Sequence, residues 1–571
     1  MKQIESIHRT KHFFIVAFFV LAGSVIFFRL FFLQVIHYSR LATIGERNFI
    51  RLKMIPAQRG NILDCNGTAL VTNCPVTSVF WQGTGNQQLS LEQKQTIQKL
   101  EQLLQKPISE KKIAIAEKFL KQVEISDRIS PEQLYRISEQ CSDTGNVEFE
   151  SFYERFYPYN RLACHIIGYL SDSYPLMQGK MGLEKLCEEE LKGQPGVFVQ
   201  HVNSFGTLLE SKHLKDQSSG KDLATTIDLS LQKIAEQCMQ NQEAGVFLLI
   251  NPKTGAIPAL VSLPSFDPSL LSKRISNELW QELQENRPFV NRAFNASYPP
   301  ASIFKLVTVT AALEEKLLTT DSVFVCNGYT TFKDRQYYCN KHSGHGRVTL
   351  KEGVAYSCNI PCYKVAQHMP IDTLASYAFE YGLGAKTDIL FSEKSGLIPT
   401  NEWKKAYYGE RWWTGETLSA SIGQSFLLVT PIQVACMIGS IFEGYLVKPR
   451  ILQEQEIIKK PIAISRKTRE FMQECMRSVI AAGTARRMSR FCNITIFAKT
   501  GTAQTINRNN KDEQDGQHLE HAWFVSYFYT AQTEPLVMVI LLEHVGGSRI
   551  AGGVAKEFFS SYMKMIRHMH S

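Results

Sequence analysis

Three short segments carry side chains that together could form a covalent acyl-serine intermediate. They are Ser302-Ile303-Phe304-Lys305, Ser357-Cys358-Asn359 and Lys499-Thr500-Gly501. A serine hydroxyl is a poor nucleophile until a base takes its proton, and a lysine three residues later on a helix lies one turn away on the same face. Ser302 and Lys305 are therefore a candidate nucleophile and base.

The elements around these segments are expected to position the nucleophile at the start of a helix. Pro299-Pro300 predicts a turn, and the run from Ser302 to Leu313 predicts a buried helix. Backbone N–H groups at a helix N-terminus favour developing negative charge. The Lys-Thr-Gly segment lies in a run that predicts a strand, Ile494 to Gln504.

The same short patterns recur elsewhere in the chain. The further matches are Ser109/Lys112, Ser218/Lys221, Ser561/Lys564 and Lys253-Thr254-Gly255. Only Ser302 is followed, roughly fifty residues later, by Ser-x-Asn and then by Lys-Thr-Gly within a strand-like run. The second Lys-Thr-Gly follows the apolar run from Val246 to Ile250 and predicts a hairpin turn.

The order of the motifs resembles that of the penicillin-recognising serine transferases, and more closely that of the class B penicillin-binding proteins. Other segments that resemble family landmarks are Arg59-Gly60-Asn61-Ile62-Leu63-Asp64, Tyr157-Pro158, His165-Ile166-Ile167-Gly168-Tyr169, Gly182-Leu183-Glu184, Thr226-Ile227-Asp228, Asn291-Arg292-Ala293, Ile422-Gly423-Gln424, Thr430-Pro431, Gly483-Thr484-Ala485 and Ala522-Trp523-Phe524. The chain departs from the family at Ala301, where glycine is usual, at Ile303, where threonine is usual, and at Cys65, where arginine is usual.

The resemblance implies an α/β (α+β) fold. It would consist of a transpeptidase domain of the penicillin-binding and serine β-lactamase type with a central antiparallel sheet, an N-terminal pedestal domain and one transmembrane helix. The expected boundaries are a cytoplasmic tail at 1–11, an anchor at 12–36, a dimerisation-type pedestal at 37–240 and the transpeptidase domain at 241–571.

The implied activity is that of a peptidoglycan D,D-transpeptidase, which cross-links stem peptides through a serine acyl-enzyme and is inhibited by β-lactams. Ser302 would attack the carbonyl between the two terminal D-alanines. Lys305 would act as base when neutral, a state that repulsion from Lys499 favours. The resemblance assigns Ser357 to a proton relay and Asn359 to holding Lys305 and the substrate amide.

The resemblance also assigns the substrate-binding groups. Thr500 and Thr502 would bind the substrate carboxylate, the backbone N–H groups of Ser302 and Thr502 would form the oxyanion hole, and Gly501 would let the substrate approach the strand edge. Strict alternation puts Lys499 on the face opposite Thr500 and Thr502. These roles therefore rest on the resemblance and not on periodicity.

Several alternatives stay open. The elongation type is favoured over the septal type by Cys326, Cys339, Gly344-His345-Gly346 and Cys358. A D,D-carboxypeptidase or another β-lactam-binding hydrolase would use the same serine machinery. An inert wall-synthesis scaffold or an antibiotic sensor is disfavoured because every reactive group is present.

Four of these residues form a candidate structural zinc site. Three thiolates and an imidazole, from Cys326, Cys339, Cys358 and His345, suit a closed tetrahedral zinc. A Cys326–Cys339 disulfide or four unrelated side chains are the alternatives. The other cysteines mostly stand singly in apolar surroundings, as Cys436 and Cys475 do, and are expected to be buried. Catalysis itself requires no cofactor.

The apolar segment from Phe13 to Ile36 is long enough to span a bilayer. Basic residues flank it on both sides, so the positive-inside count does not fix the orientation. Because the wall precursor lies outside the cytoplasm, we expect a single-pass protein of the cytoplasmic membrane with a cytoplasmic N-terminus and a periplasmic catalytic domain.

The expected partners follow from composition and resemblance. The formal charge of +9 is spread along the chain without a basic block, which excludes nucleic-acid binding. The resemblance implies stem peptides, β-lactams and a membrane-embedded glycosyltransferase of the shape, elongation, division and sporulation (SEDS) type.

Overall fold

The computed structural model describes residues 2–41, 50–141, 145–171, 177–202, 208–272, 275–503 and 520–569. Its helices are α1 Lys2–Phe31, α2 Leu91–Leu104, α3 Glu110–Lys118, α4 Pro131–Gln140, α5 Cys164–Ile167, α6 Gly182–Leu186, α7 Glu188–Leu191, α8 Leu229–Met239, α9 Pro268–Leu271, α10 Asn277–Asn286, α11 Lys305–Glu314, α12 Leu350–Ala355, α13 Ile360–Ala366, α14 Ile371–Glu380, α15 Asn401–Tyr408, α16 Thr414–Ser421, α17 Pro431–Glu443, α18 Arg466–Ala481 and α19 Ser548–Met569.

The strands are β1 Ile50–Ile55, β2 Ile62–Leu63, β3 Ala69–Gln82, β4 Gln122–Ser126, β5 Val147–Phe156, β6 Gly196–Val202, β7 Leu208–Lys215, β8 Leu223–Ala224, β9 Gly245–Ile250, β10 Ala259–Leu263, β11 Val323–Cys326, β12 Tyr329–Phe332, β13 Arg335–Tyr338, β14 Gly346–Thr349, β15 Tyr445–Val447, β16 Lys459–Pro461, β17 Thr495–Ala503, β18 His521–Thr530 and β19 Thr533–Leu542. They contribute to two compact units that alternate along the chain.

The small unit comprises Met1–Gln58, Asn73–Glu154 and Gly193–Gly220. It contains an antiparallel sheet in the order β1-β6-β7 and a separate core in which Trp81, Ile97 and Leu100 are buried. The polar stretch predicted as helical, Leu89 to Glu124, is instead α2, α3 and the start of β4. Pro107 explains the break, because proline lacks an N–H and restricts the residue before it.

The large unit comprises Arg59–Thr72, Arg155–Lys192 and Lys221–Ser571. Its central sheet is antiparallel, in the order β10-β9-β19-β18-β17. Strand β9 is buried along its whole length. Phe247 and Leu249 face a core shared with α8 and α19, whereas Val246 and Leu248 face a core shared with α11, α17 and α18. The predicted fold class, with its central antiparallel sheet, is confirmed.

The predicted catalytic strand corresponds to β17, although Gln504 lies outside the described residues. Strand β17 pairs with β18 and stands at an end of the sheet order. It is therefore an edge strand whose second side can receive an extended chain. The terminal helix α19 begins at Ser548, before the predicted Val554, because the apolar side chains that pack on the sheet begin with Ala551.

Candidate active site

Ser302 lies in a 3-10 turn, Ala301–Ile303, that leads into α11. Two hydrogen bonds and one buried side chain hold this turn in place. Trp523 Nε1 donates to Pro299 O at 3.0 Å, and Ala301 N donates to Gly423 O at 2.9 Å. Ile303 is fully buried, whereas Ser302 is half-buried and so accessible. The predicted placement of the serine at the start of a helix is thus reproduced.

Lys305 is fully enclosed at the first position of α11. Its Nζ donates to Asn359 Oδ1 at 2.6 Å, to Ser357 O at 2.6 Å and to Ser357 Oγ at 3.1 Å. Two of the three acceptors are carbonyl oxygens, which can only accept. A neutral amine that keeps its two hydrogens on those carbonyls therefore directs its lone pair toward the remaining partner, Ser357 Oγ.

Lys499, on β17, reaches the same serine from the other side. Its Nζ donates to Ser357 Oγ at 3.1 Å and to Thr500 O at 3.0 Å. Thr500 Oγ1 shares a hydrogen bond of 2.7 Å with Thr484 Oγ1, and Thr484 N donates to Ala355 O at 3.2 Å. Lys499 and Thr500 therefore reach the 355–357 segment by different routes, as side chains on opposite faces of an edge strand can.

Burial lowers the pKa of both lysines. For Lys305, desolvation is the main cause. The pKa of Lys499 is lowered well below its ordinary value by desolvation and then by the charge of Lys305. The sequence led us to expect that like-charge repulsion lowers the pKa of Lys305. In the structure this repulsion lowers the pKa of Lys499 instead. Because both nitrogens contact Ser357 Oγ, the two groups lie close enough for the charge of one to influence the pKa of the other.

Ser357 and Asn359 stand between α12 and α13. Ser357 has a φ of +57°, a left-handed conformation that costs an L-residue about 1–2 kcal/mol and that recurs at functional sites. Asn359 Nδ2 donates to Tyr338 O at 2.9 Å and to Tyr363 Oη at 3.4 Å. Both amide hydrogens of Asn359 are thus engaged within the protein, which aims its oxygen at Lys305.

The expected substrate-binding residues follow Lys499 along β17 and differ in their exposure. Thr502 is partly exposed on β17, and Thr500 is buried. A Cβ added at Gly501 would stand 3.3 Å from Ile303 Cγ1. Glycine therefore permits the turn that carries Ser302 to pack against the strand, in addition to its predicted role for substrate.

Sequence reasoning missed three residues near the catalytic groups, of which two form hydrogen bonds with them and the third is a neighbouring thiol. Thr484 was noted as part of a landmark without a role, although it binds Thr500. Tyr363 orients Asn359, and Cys362 is a buried thiol beside both lysines whose pKa burial raises to about 11. The adjacency of Cys362 and Tyr363 to the Ser-x-Asn segment, on the following helix, was the available signal.

The other copies of the motifs lie in different settings. Ser109 precedes the exposed start of α3, and Ser561 and Lys564 lie within α19. Lys253-Thr254-Gly255 turns between β9 and β10, as predicted, with Asn251 Oδ1 accepting from Lys253 N at 2.9 Å.

The four predicted metal ligands, Cys326, Cys339, His345 and Cys358, do come together. One ligand atom from each lies within 4.8 Å of all the others. His345 Nδ1 is 3.5 Å from the sulfurs of both Cys326 and Cys339, and the Cys339 and Cys358 sulfurs are 3.7 Å apart. With Zn–S near 2.3 Å and Zn–N near 2.0–2.1 Å, a tetrahedral zinc requires edges of about 3.8 Å between sulfurs and about 3.5 Å from sulfur to nitrogen.

The three distances match the edges of such a tetrahedron, and each of the three cysteines is a free thiol in the structure. The turn that aims His345 is tight, as its flanking glycines predicted. Gly344 and Gly346 have φ of +79° and +72°, and a Cβ at Gly344 would lie 2.3 Å from Cys326 O. As predicted, Cys436 and Cys475 are also buried.

Comparison with known families decides what kind of site this is. The family described as "Penicillin binding protein transpeptidase domain" matches residues 245–564, and the "Penicillin-binding Protein dimerisation domain" matches residues 54–225. The chain belongs to the penicillin-binding transpeptidase family. The predicted class B identity and serine acyltransferase chemistry are confirmed at this level.

The names of individual relatives agree with this family assignment. The peptidoglycan D,D-transpeptidase MrdA of Acinetobacter baumannii is 30% identical over 99% of this chain and 89% of its own length. The protein of the same name from Escherichia coli K12 is 27% identical over 95% of this chain and 92% of its own length. These names support a transpeptidase and disfavour the hydrolytic and inert alternatives. They also support the elongation type and disfavour the septal type.

Two solved structures are similar to this chain over most of its length. The complex between penicillin-binding protein 2 (PBP2) and MreC from Helicobacter pylori has a TM-score of 0.76 at 26% identity and covers 91% of this chain and 99% of that one. A peptidoglycan synthase complex that coordinates polymerization and crosslinking has a TM-score of 0.75 at 28% identity and covers 96% and 97%.

The N-terminal helix agrees with the predicted anchor. Among the described residues, one helical segment, His12–Ile36, is long and apolar enough to cross a membrane, and none of it is buried. Helix α1 begins at Lys2, so residues predicted as a tail continue the same helix. The segment is a candidate single-pass membrane anchor.

Proposed function

We propose that Ser302 is the nucleophile of a peptidoglycan D,D-transpeptidase that acts in cell elongation. Its Oγ bonds to the carbonyl carbon between two terminal D-alanines while its proton passes to Lys305. The carbon–nitrogen bond then breaks, and the released D-alanine takes a proton from the relay. An amine from a second strand attacks the resulting ester, and the proton that it loses returns to Ser302.

The hydrogen bonds of Lys305 carry this proposal. Its ammonium meets three acceptors, whereas that of Lys499 meets two. A substrate carboxylate beside Thr500 would favour the charged form of Lys499. Lys305 then gives a proton to Ser357 Oγ, whose own proton passes to Lys499. The neutral Lys305 keeps two hydrogens on carbonyls and turns its lone pair to Ser302.

The remaining groups act on the substrate in this proposal. Thr500 and Thr502 bind its carboxylate, and the backbone N–H groups of Ser302 and Thr502 stabilise the oxyanion. The edge position of β17 supports this, because an extended stem peptide can add to its free side. Asn359 is assigned to fixing Lys305, since its own amide hydrogens are bound within the protein.

Labelled penicillin tests the nucleophile in the full-length, detergent-solubilised protein. The Ser302→Ala variant is expected to take up no label, whereas Ser109→Ala, at the exposed Ser-x-x-Lys, keeps wild-type labelling. Lys305→Ala should acylate at least about a hundredfold more slowly. Label on a folded Ser302→Ala variant would reject the assignment.

The domain plan is proposed as a cytoplasmic segment at 1–11, the anchor at 12–36, the pedestal at 37–240 and the transpeptidase domain at 241–571, with the catalytic domain outside the cytoplasmic membrane. The anchor helix and the external location of wall peptides support it. External protease on spheroplasts should digest everything beyond about residue 36. A protected C-terminal domain would reverse the orientation.

We further assign a structural zinc ion to Cys326, Cys339, His345 and Cys358. The tetrahedral edge lengths support it, and Cys358 lies between Ser357 and Asn359, so the ion would brace that segment. Elemental analysis should find one zinc per wild-type chain and per Cys492→Ser control, whose thiol is exposed. Cys339→Ser should lose it, and undiminished zinc there would reject the site.

In the cell, the proposed partner is a membrane-embedded SEDS-type glycosyltransferase, supported by the likeness to a peptidoglycan synthase complex. Depletion of the protein should produce round cells. Filaments would indicate a septal role instead. Co-purification of the polymerase from membranes with the full-length protein tests the partnership directly.

A further inference from the structure

A concave site in the large unit shares none of its lining residues with the catalytic groups. It is a cavity of about 560 Å³ between the β12–β13 hairpin and the segment that joins α15 to α16. Its lining residues are Phe332, Lys333, Asp334, Arg335, Tyr337, Arg411, Trp412, Trp413, Thr414 and Gly415. We call it the hairpin pocket. Nothing in the proposed chemistry uses it.

The hairpin pocket is rich in positive charge. Lys333, Arg335 and Arg411 are exposed at its wall against the single carboxylate of Asp334. Among the described residues, no carboxylate forms an ion pair with these three cations. Arg411 lies 4.4 Å from the ring centre of Trp413, and Arg335 lies 5.5 Å from that of Tyr337. Stacked guanidinium groups with free N–H edges are suited to binding carboxylates.

The pocket wall is held in place by an ion pair and hydrogen bonds. Lys404 is almost fully buried on α15, where it forms an ion pair with Glu416 and lies 5.7 Å from the ring centre of Trp412. Glu416 also accepts from Trp413 N at 2.9 Å, and Trp412 Nε1 donates to Thr417 Oγ1 at 2.8 Å. The segment that carries Arg411 is therefore fixed before any ligand arrives.

The hairpin connects this pocket to the catalytic groups. Tyr337, which lines the pocket, packs against Tyr363 with ring centres 5.5 Å apart, and Tyr363 orients Asn359. The next residue, Tyr338, accepts the Asn359 amide through its carbonyl. A ligand in the hairpin pocket would thus lie against the elements that position Lys305.

We propose that the hairpin pocket binds an acidic peptide, namely a carboxylate-bearing part of a wall stem peptide outside its D-alanyl end. This inference rests on the proposed function, because it names a further recognition site for that substrate. Arg335 and Arg411 bind the carboxylate, and the aromatic walls exclude water from the contact. The unpaired cations, the rigid wall and the link to Asn359 all point to a peptide and not to a bulk counterion.

Binding can be measured without turnover through the fluorescence of Trp412 and Trp413. The full-length protein in detergent is first acylated with penicillin, which occupies Ser302, and is then titrated with a stem pentapeptide that has free side-chain carboxylates. Matched titrations use the same peptide with those carboxylates amidated, the Arg335→Gln/Arg411→Gln double variant, and the Arg466→Gln control, whose side chain is 84% exposed on α18.

The wild type and the control should bind the acidic peptide with equal affinity, and the double variant should bind at least about tenfold more weakly, with penicillin acylation unchanged. The amidated peptide should bind the wild type as weakly as the acidic peptide binds the double variant. Added salt should weaken the binding of the acidic peptide to the wild type and leave the binding of the amidated peptide unchanged. Equal binding of both peptides, or unchanged affinity in the double variant, overturns the pocket's role.

Slower acylation of the double variant would also overturn it, since the arginines would then shape the catalytic site instead of recognising peptide. Failure of the proposed function is a separate result. In that case wild-type protein would not take up labelled penicillin at Ser302, whatever the titrations give.

Discussion

Replacement of Lys499 by methionine tests whether the two buried lysines share their charge. Both Nζ atoms lie 3.1 Å from Ser357 Oγ, so they are no farther apart than about 6 Å. At an effective dielectric constant of 20, two unit charges at that distance repel by about 2.7 kcal/mol. Because of this repulsion the pair shares one proton, whereas without Lys499 the Lys305 amine keeps a proton of its own and is neutral less often.

The expected result is a change in pH dependence and not only in rate. A difference of about 2.7 kcal/mol lowers the fraction of neutral Lys305 at neutral pH about a hundredfold. Acylation by labelled penicillin, measured by stopped-flow from pH 6 to 10, should fall by about that factor at pH 7. It should recover as the pH rises, because the base loses its proton at higher pH.

Lys253→Met is the matched control. Lys253 begins the second Lys-Thr-Gly, and its Nζ forms an exposed ion pair with Glu534 at 2.9 Å. Its acylation profile should equal that of the wild type. Lys499 also stands where a β-lactam carboxylate would bind, and loss of that contact lowers the rate equally at every pH. A uniform loss with an unmoved profile would refute the shared-charge argument.

Three further changes have defined outcomes. Ala301→Gly should raise the melting temperature by about 2 °C, because Ala301 has a φ of +48° that glycine adopts without strain; no rise in scanning calorimetry would contradict this. Thr484→Val removes the 2.7 Å bond to Thr500 and should slow acylation about fivefold at unchanged stability, and an unaltered rate would separate Thr484 from the site. Glu184→Gln should cost about 3–5 kcal/mol of unfolding free energy in urea titrations, because Glu184 is fully buried between two arginines; a loss below about 1 kcal/mol would show that the pair is dispensable.

The sequence located the reactive groups because their chemistry is local. Ser302 and Lys305 lie one turn apart, and the glycines around His345 predicted the tight turn that the structure shows. The predicted strand around Lys499 starts at Ile494 and the observed strand at Thr495, because the run opens with β-branched and aromatic residues that favour strands. These features depend on neighbours along the chain.

Features that depend on distant contacts could not be predicted. The pKa of Lys499 is lowered by the charge of Lys305 because both lysines contact Ser357, which lies 142 positions from Lys499 in the sequence. Thr484 lies in a turn and gains its role from a hydrogen bond to Thr500 on β17, which the Gly-Thr-Ala segment alone does not predict. The hairpin pocket combines Arg335 with Arg411, which are distant in sequence and brought together by folding.

Two adjacent hairpin residues couple the proposed metal site to the base. Cys339 contacts the other ligands, and its sulfur accepts from Asn359 N at 3.4 Å, while Tyr338 O accepts from Asn359 Nδ2 at 2.9 Å. Loss of the metal would release Cys339 and with it both contacts to Asn359. The amide would then turn away from Lys305, although the turn that holds Ser302 depends on Gly423 and Trp523 instead. Removal of zinc should therefore impair proton transfer and leave the nucleophile in place.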